Sequence, residues 1–357
     1  MRGLLPLLAV ILLPAACGGP PEGNSGADEV TSDRAIRSQA VLNAIDPEGP
    51  GCSAAVGNDG TVVWAGVRGI ANLATGTPIT TDTVFDIASV SKQFTATAIL
   101  LLVQEGRLGL DDRLSDHVPG LPGWAATVTV GQLMHQTSGI PDYTGLLEEQ
   151  GFEDSDHTTQ ADALKALAAV PTLEFEPATQ FEYSNSNYIL LAEIVQDVSG
   201  TPLPKFLAAN IFGPLGLAMV ADPTETVPNR ALSYQKDGGH YAVADSWWEQ
   251  VGDGSIQTTP SQLVRWADDY RTGKVGGPGL LEAQLAGAVE TGPGDDGRYG
   301  AGIFVLGDGM LEHSGGWGGF VSEFVVSADR RTAVAVSCNA DDQDPDTLVS
   351  ALATIWM

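Results

Sequence analysis

The chain has 357 residues, 43% hydrophobic and 17% charged, enough to bury a full core in two domains or one large one. Its 45 acidic and 17 basic side chains leave a formal charge of −28 at pH 7. That balance excludes nucleic acid as a partner and charge-driven attachment to anionic lipid, since both need clustered Lys and Arg.

Arg2, an apolar run over residues 4–13 and then Pro14-Ala15-Ala16-Cys17 read as a secretory signal peptide over residues 1–17. The apolar run is too short to span a bilayer. The Ala-Ala-Cys ending resembles a bacterial lipobox, with Pro14 where such a box usually carries Leu. Lipidation at Cys17 and ordinary cleavage with release both stay open, so the expected location is the periplasm or cell envelope, lipid-anchored or secreted.

Residues 18–33, rich in Gly, Pro, Glu and Asp, read as a flexible tether, and Asp33 is placed to cap a short helix through Ile36, Val41 and Ile45. Asp59-Gly60 between two β-prone runs signals a hairpin. Residues 90–103 read as a buried helix stopped at Gly106. From 111 to 255 the pattern is helices and loops: a capping box at Thr129 and Gln132, then helical periodicity over 158–170 and 188–198. From Ala301 strands return, at 303–305, 320–326 and 332–337. The expected fold class is α+β, an antiparallel sheet flanked by helices with an inserted all-helical region. The sheet domain takes residues 34–110 and 256–357, and the insertion 111–255.

Three short patterns carry chemistry. In Ser89-Val90-Ser91-Lys92 one helical turn brings Ser89 and Lys92 to the same side, where a lysine beside a buried core at the positive end of a helix is disfavoured as an ammonium. A neutral amine can take the serine proton. A second such match, Ser233 to Lys236, lies in a polar stretch and reads as chance. In Tyr183-Ser184-Asn185 the phenol can relay a proton and the amide can grip a carbonyl, although a loop Tyr with Asn185 capping a helix reads equally well. His313-Ser314-Gly315 runs along a strand into Gly316-Trp317-Gly318-Gly319, where glycines admit a substrate close to the backbone; a glycine-rich turn with a surface histidine is the plain alternative. With no C-x-x-C and no paired-histidine motif, neither a metal site nor a cofactor is expected.

S-x-x-K, Y-x-N and H-S-G in this order resemble the serine β-lactamase and penicillin-recognising peptidase superfamily, nearest the branch of class C β-lactamases, D-alanyl-D-alanine carboxypeptidases and related esterases. Residues 85–88, 133–141, 212–217 and 254–259 are similar to that branch as well. The resemblance implies Ser89 as the acylated nucleophile, Lys92 as its activating amine and Tyr183 as the proton shuttle. It implies that Asn185 holds the substrate amide, with His313, Ser314 and Gly315 along the strand that faces the substrate. The backbone N–H groups of Ser89 and Gly316 would form the oxyanion hole. It also implies neighbouring first and last strands, hence a disulfide between Cys52 and Cys338. The class A pattern fits less well, since Ser115-Asp116-His117 is only a partial S-D-N.

His313 stands where most β-lactamases of the superfamily carry Lys. An ordinary histidine there would tighten carboxylate binding below about pH 6.5. The expected activity is that of an exported serine hydrolase working through an acyl-enzyme, of the D-alanyl-D-alanine carboxypeptidase kind. Its substrate would be a small molecule or peptide such as a peptidoglycan stem. A β-lactamase or carboxylesterase of the same family is one alternative, and a non-catalytic envelope binding protein another. Oligomeric state is left open.

Overall fold

A computed structural model describes residues 25–357 apart from 154, 245 and 293–296. The signal-peptide and Cys17 expectations lie outside the described residues.

Eight antiparallel strands form one sheet, in the order Thr61–Arg68, Cys52–Asn58, Thr332–Cys338, Phe320–Val326, Leu311–Trp317, Phe304–Val305, Arg298–Tyr299, Val289–Glu290. The first hairpin turns at Asp59 and Gly60, both with positive φ (47° and 76°), as a two-residue turn between right-twisted strands requires. Cys52 lies directly opposite Cys338 in the register, and a disulfide joins them with Cα atoms 4.0 Å apart.

Each face of the sheet is covered. The terminal helices Ser25–Leu42 and Pro345–Trp356 close one face over Val56, Val325, Val334 and Val336. On the other face lies the larger core, built around Lys92–Gln104 and Asn185–Ser199. Ten of the 13 residues of Lys92–Gln104 are buried, and the buried polar ones all find partners. Gln93 Nε2 donates to the Val90 carbonyl at 2.9 Å and its Oε1 accepts from Tyr270 Oη at 2.8 Å; the Thr95 hydroxyl donates to the Gly252 carbonyl at 2.7 Å. Such pairing removes most of the cost of burying polar groups in an apolar helix.

Three expectations need correction. The first helix starts at Ser25 rather than after a cap at Asp33, so the 18–33 tether does not extend over residues 25–33. No Pro lies between Pro21 and Pro47, and no Gly between Gly26 and Gly49, so nothing halts a helix entering from Ser25. The 111–255 region is not all-helical: Tyr234–Asp237 and His240–Val243 form a hairpin turning at Gly238-Gly239, both with positive φ. Strands also return before Ala301, as pieces of two residues at Val289–Glu290 and Arg298–Tyr299.

Glu323, in mid-sheet, is 3% exposed, with Oε1 lacking a hydrogen-bond partner among the described residues. Burial, then the charges of Glu312 and Asp346, push its carboxyl up to about 8. Unfolded, it ionises near 4.5, so between those limits unfolding releases a proton and stability falls as pH rises, by at most about 1.4 kcal/mol per pH unit. Glu323→Gln is therefore expected to flatten that decline and to exceed the wild type in thermal stability at pH 8–9. Thermal unfolding followed from pH 5 to 9 checks this; parallel curves for the two proteins contradict it.

Candidate active site

Phe85-Asp86 pairs with Gln257-Thr258 and leads the chain into Ala88, whose φ of +47° is strained for a residue with a side chain. The Ala88 N–H donates to Asp86 Oδ1 at 2.8 Å, which fixes the turn that presents half-buried Ser89. A short 3-10 turn, Ala88–Ser91, then runs into the buried helix. The Leu311–Trp317 strand lies close behind. A Cβ on Gly315 would fall 2.3 Å from the Ile87 carbonyl oxygen, so only glycine admits this approach.

Lys92 is fully buried, with Nζ 3.0 Å from Ser89 Oγ, 2.7 Å from Asn185 Oδ1 and 2.8 Å from the Asp253 carbonyl oxygen. The two carbonyl oxygens only accept, so they take two of the nitrogen's hydrogens. Ser89 Oγ can accept a third from an ammonium or donate its own proton to a neutral amine. The site is therefore satisfied in either protonation state. Nζ also lies over the Tyr183 ring, 4.9 Å from its centroid. The Tyr183 hydroxyl is buried with no hydrogen-bond partner among the described residues.

Asn185 is the first residue of its helix, and the cap position belongs to Ser184. Its orientation is set by Asp142, whose Oδ2 accepts from the Asn185 backbone N–H at 2.8 Å and from Nδ2 at 3.0 Å. One Nδ2 hydrogen is left for a ligand carbonyl. Tyr143 donates its hydroxyl to Asp253 Oδ2 at 3.0 Å. Burial raises the Asp253 carboxyl above its usual range, opposed by the Lys92 charge; burial and then the Asp253 charge raise the Tyr143 phenol.

A half-open cavity of about 50 Å³ opens at Ser89 and includes Asn185, Asp253, Gly316, Trp248 and Trp317 in its lining. Among the described residues that line it, Asp253 is the only carboxylate and none is Lys, Arg or His. His313, Ser314 and Gly315 do not line it, contrary to the sequence expectation. Strand alternation turns His313 and Gly315 toward the core, and Ser314 to the opposite face in register with Glu323. The strand's free edge remains relevant: of Leu311–Trp317, only Leu311 and Glu312 pair with Phe304–Val305, which leaves residues 313–317 unpaired on that side among the described residues.

His313 is 1% exposed, among Tyr183, Tyr299 and Phe304. Its Nδ1 donates to the Ser314 carbonyl at 2.6 Å, and Nε2 faces the Tyr299 hydroxyl at 3.5 Å as an acceptor. Burial, then the Lys92 charge, push it down to about 3. The expected protonation near pH 6.5 is thereby overturned, and carboxylate affinity should not rise through His313 on acidification. Its effect is on stability instead. Between pH 6.5 and about 3 the unfolded chain binds a proton that the fold refuses, so His313 destabilises the fold as pH falls through that window. KM for an anionic substrate is expected to show no His313-dependent step from pH 5 to 8; a step that vanishes in His313→Gln contradicts this.

The other sequence matches sit elsewhere. Lys236 pairs with Asp342 at 2.6 Å on the small hairpin, away from Ser89. His117, in the short helix Leu114–His117, bonds Asp197 through Nδ1 at 2.9 Å. Asp142, Tyr143, Trp248 and Asp253 were not anticipated. Asp142 alone had a signal, an Asp after Pro141 at a helix start.

The Beta-lactamase family model matches residues 41–353. A D-aminopeptidase of Gluconobacter oxydans is 28% identical over 320 residues, covering 85% of this chain and 58% of that protein. Penicillin-binding protein 4* of Bacillus subtilis is 28% identical over 321 residues, covering 80% and 67%. A D-stereospecific amidohydrolase from Streptomyces superposes with a TM-score of 0.76 at 25% identity, over 89% of this chain and 98% of that one. The chain spans a little under three fifths of the length of the D-aminopeptidases that it matches. The antiparallel sheet between helical layers, the Ser89–Lys92–Asn185 cluster and the family match over 41–353 agree: this chain belongs to the beta-lactamase family of serine hydrolases.

Proposed function

We propose that the chain is an exported amidase of the aminopeptidase kind, which transfers the acyl part of a D-amino-acid amide or short D-aminoacyl peptide to Ser89 and then to water. The observation that carries this reading is the make-up of the cavity lining at Ser89: one acidic side chain, Asp253, and no Lys, Arg or His among the described lining. An acyl group with a free α-ammonium suits that lining, whereas the terminal carboxylate of a carboxypeptidase substrate does not. An ammonium in the cavity would also favour the ionised form of Asp253. The D-configuration comes from the names of the relatives.

In this mechanism neutral Lys92 takes the Ser89 proton as Oγ attacks the carbonyl carbon. The oxyanion is held by the backbone N–H groups of Ser89 and Gly316, and Asn185 Nδ2 steadies the acyl carbonyl region. The proton passes from Lys92 through the Tyr183 hydroxyl to the departing amine as the C–N bond breaks. Water then reverses the sequence: it attacks the ester, its proton travels back, and Ser89 recovers its hydroxyl.

The disulfide supports export, since such bonds persist in oxidising compartments. Finding Cys52 and Cys338 reduced, with residues 1–17 retained, in the native host would contradict it. The activity is tested on D-alaninamide, its N-acetyl derivative, an N-acylated D-Ala-D-Ala peptide and a chromogenic cephalosporin, with Ser89→Ala as control. Cleavage of the free-amino D-amide with the N-acetyl form poor supports the reading. Faster release of D-alanine from the acylated peptide, or faster opening of the β-lactam, overturns it.

A further inference from the structure

The Ser89 cavity adjoins a much larger one. Beyond Trp248 and Trp317 lies a second cavity of about 490 Å³, walled by Trp247, Phe320, Pro223 and Val227 and edged by Glu225 and Glu249. The two share Trp248, Trp317 and Ser255, so the two indoles stand between them. Their ring centroids are 5.3 Å apart.

The partition is held from both sides. Trp248 is buried, its Nε1 donates to the Glu153 carbonyl at 3.1 Å, and its ring lies 6.2 Å from that of Tyr143. Trp317 ends its strand and is followed by Gly318 and Gly319, both at positive φ. A Cβ on Gly319 would fall 2.6 Å from the Tyr234 carbonyl oxygen, so the turn that carries Trp317 is seated tightly on the hairpin.

The side of the scissile bond that faces this partition follows from the roles proposed above. Asn185 and Gly316, which hold the acyl carbonyl and its oxyanion, line the small cavity, while Tyr183, the proton donor to the leaving amine, lines neither. The small cavity therefore receives the acyl side chain. An enclosed cavity of about 150 Å³ holds a benzene ring. The small cavity, at about 50 Å³, offers a third of that volume, and the chamber behind the indoles, at about 490 Å³, more than three times it.

We propose that Trp248 and Trp317 form the wall that restricts this enzyme to small acyl groups, and that removing Trp317 opens the second chamber to aromatic ones. The proposal rests on the acyl-enzyme reading above and deepens it. Wild type, Trp317→Phe and Trp317→Ala are compared on p-nitrophenyl acetate and p-nitrophenyl phenylacetate. These esters acylate serine without needing an ammonium group or a protonated leaving group, so the result does not depend on the aminopeptidase assignment. Thermal unfolding monitors the fold, and Trp317→Phe serves if the alanine variant unfolds. The wild type is expected to favour acetate by about 10–100-fold in kcat/KM. Trp317→Ala is expected to raise the phenylacetate-to-acetate ratio of kcat/KM by about 10-fold or more, and Trp317→Phe to fall between. Equal wild-type rates on the two esters, or the same ratio in folded variants, overturn the wall while leaving the aminopeptidase reading to its own assay. Failure of both esters to acylate Ser89, in wild type and folded variants, overturns the wall and the acyl-enzyme reading together.

Discussion

Replacing Lys92 with methionine is expected to lower kcat by about 10³–10⁴-fold on esters and amides alike. Attack by Ser89 needs a proton acceptor, and Nζ at 3.0 Å is the amine within reach. Methionine keeps the volume of a side chain that is fully buried, so the core remains filled. The Asn185 Oδ1 and Asp253 carbonyl oxygens lose their donor, at about 1–3 kcal/mol each, partly offset because no amine is left to desolvate. Activity and thermal unfolding are therefore measured together. A folded Lys92→Met enzyme within tenfold of the wild type would falsify the assignment of Lys92 as the base.

Tyr183→Phe separates the two halves of the proton path. Its hydroxyl has no partner among the described residues, so removing it should leave stability almost unchanged. An amine leaves only when protonated, whereas p-nitrophenolate leaves without a proton. The variant is expected to lose about 10²–10³-fold in the rate of acylation by a D-amino-acid amide and less than tenfold in the acylation burst with p-nitrophenyl acetate. Comparable losses on both substrates would place Tyr183 in serine activation rather than leaving-group departure.

What the sequence made legible follows the reach of its local signals. The Asp59-Gly60 turn, the apolar run after Ser89 and the seven-residue strand Phe320–Val326 all carry strong patterns within a few residues. One helical turn likewise implied that Ser89 and Lys92 meet. The two-residue strands at the far edge of the sheet are too short to show alternation, and exist through pairing with their neighbours. Asp253 and Trp248 sit in a loop without periodicity, and only the tertiary fold brings them to Asn185 and Trp317. The burial of His313 was readable. It shares a strand face with Leu311, two places back, and that alternation turns it toward the core. The glycines that follow drew attention to a substrate surface instead, yet Gly315 serves the approach of the Ile87 carbonyl.

An acyl group on Ser89 is the intermediate on which every step above depends. The most direct measurement is the intact mass of wild type and Ser89→Ala after a brief exposure to p-nitrophenyl acetate or a fluorescent penicillin and an acid quench, with peptide mapping of any adduct. One acyl group is expected on the peptide containing Ser89 and none on the variant. An adduct of equal size in both proteins, or steady turnover by the wild type with no adduct at any quench time, would contradict it.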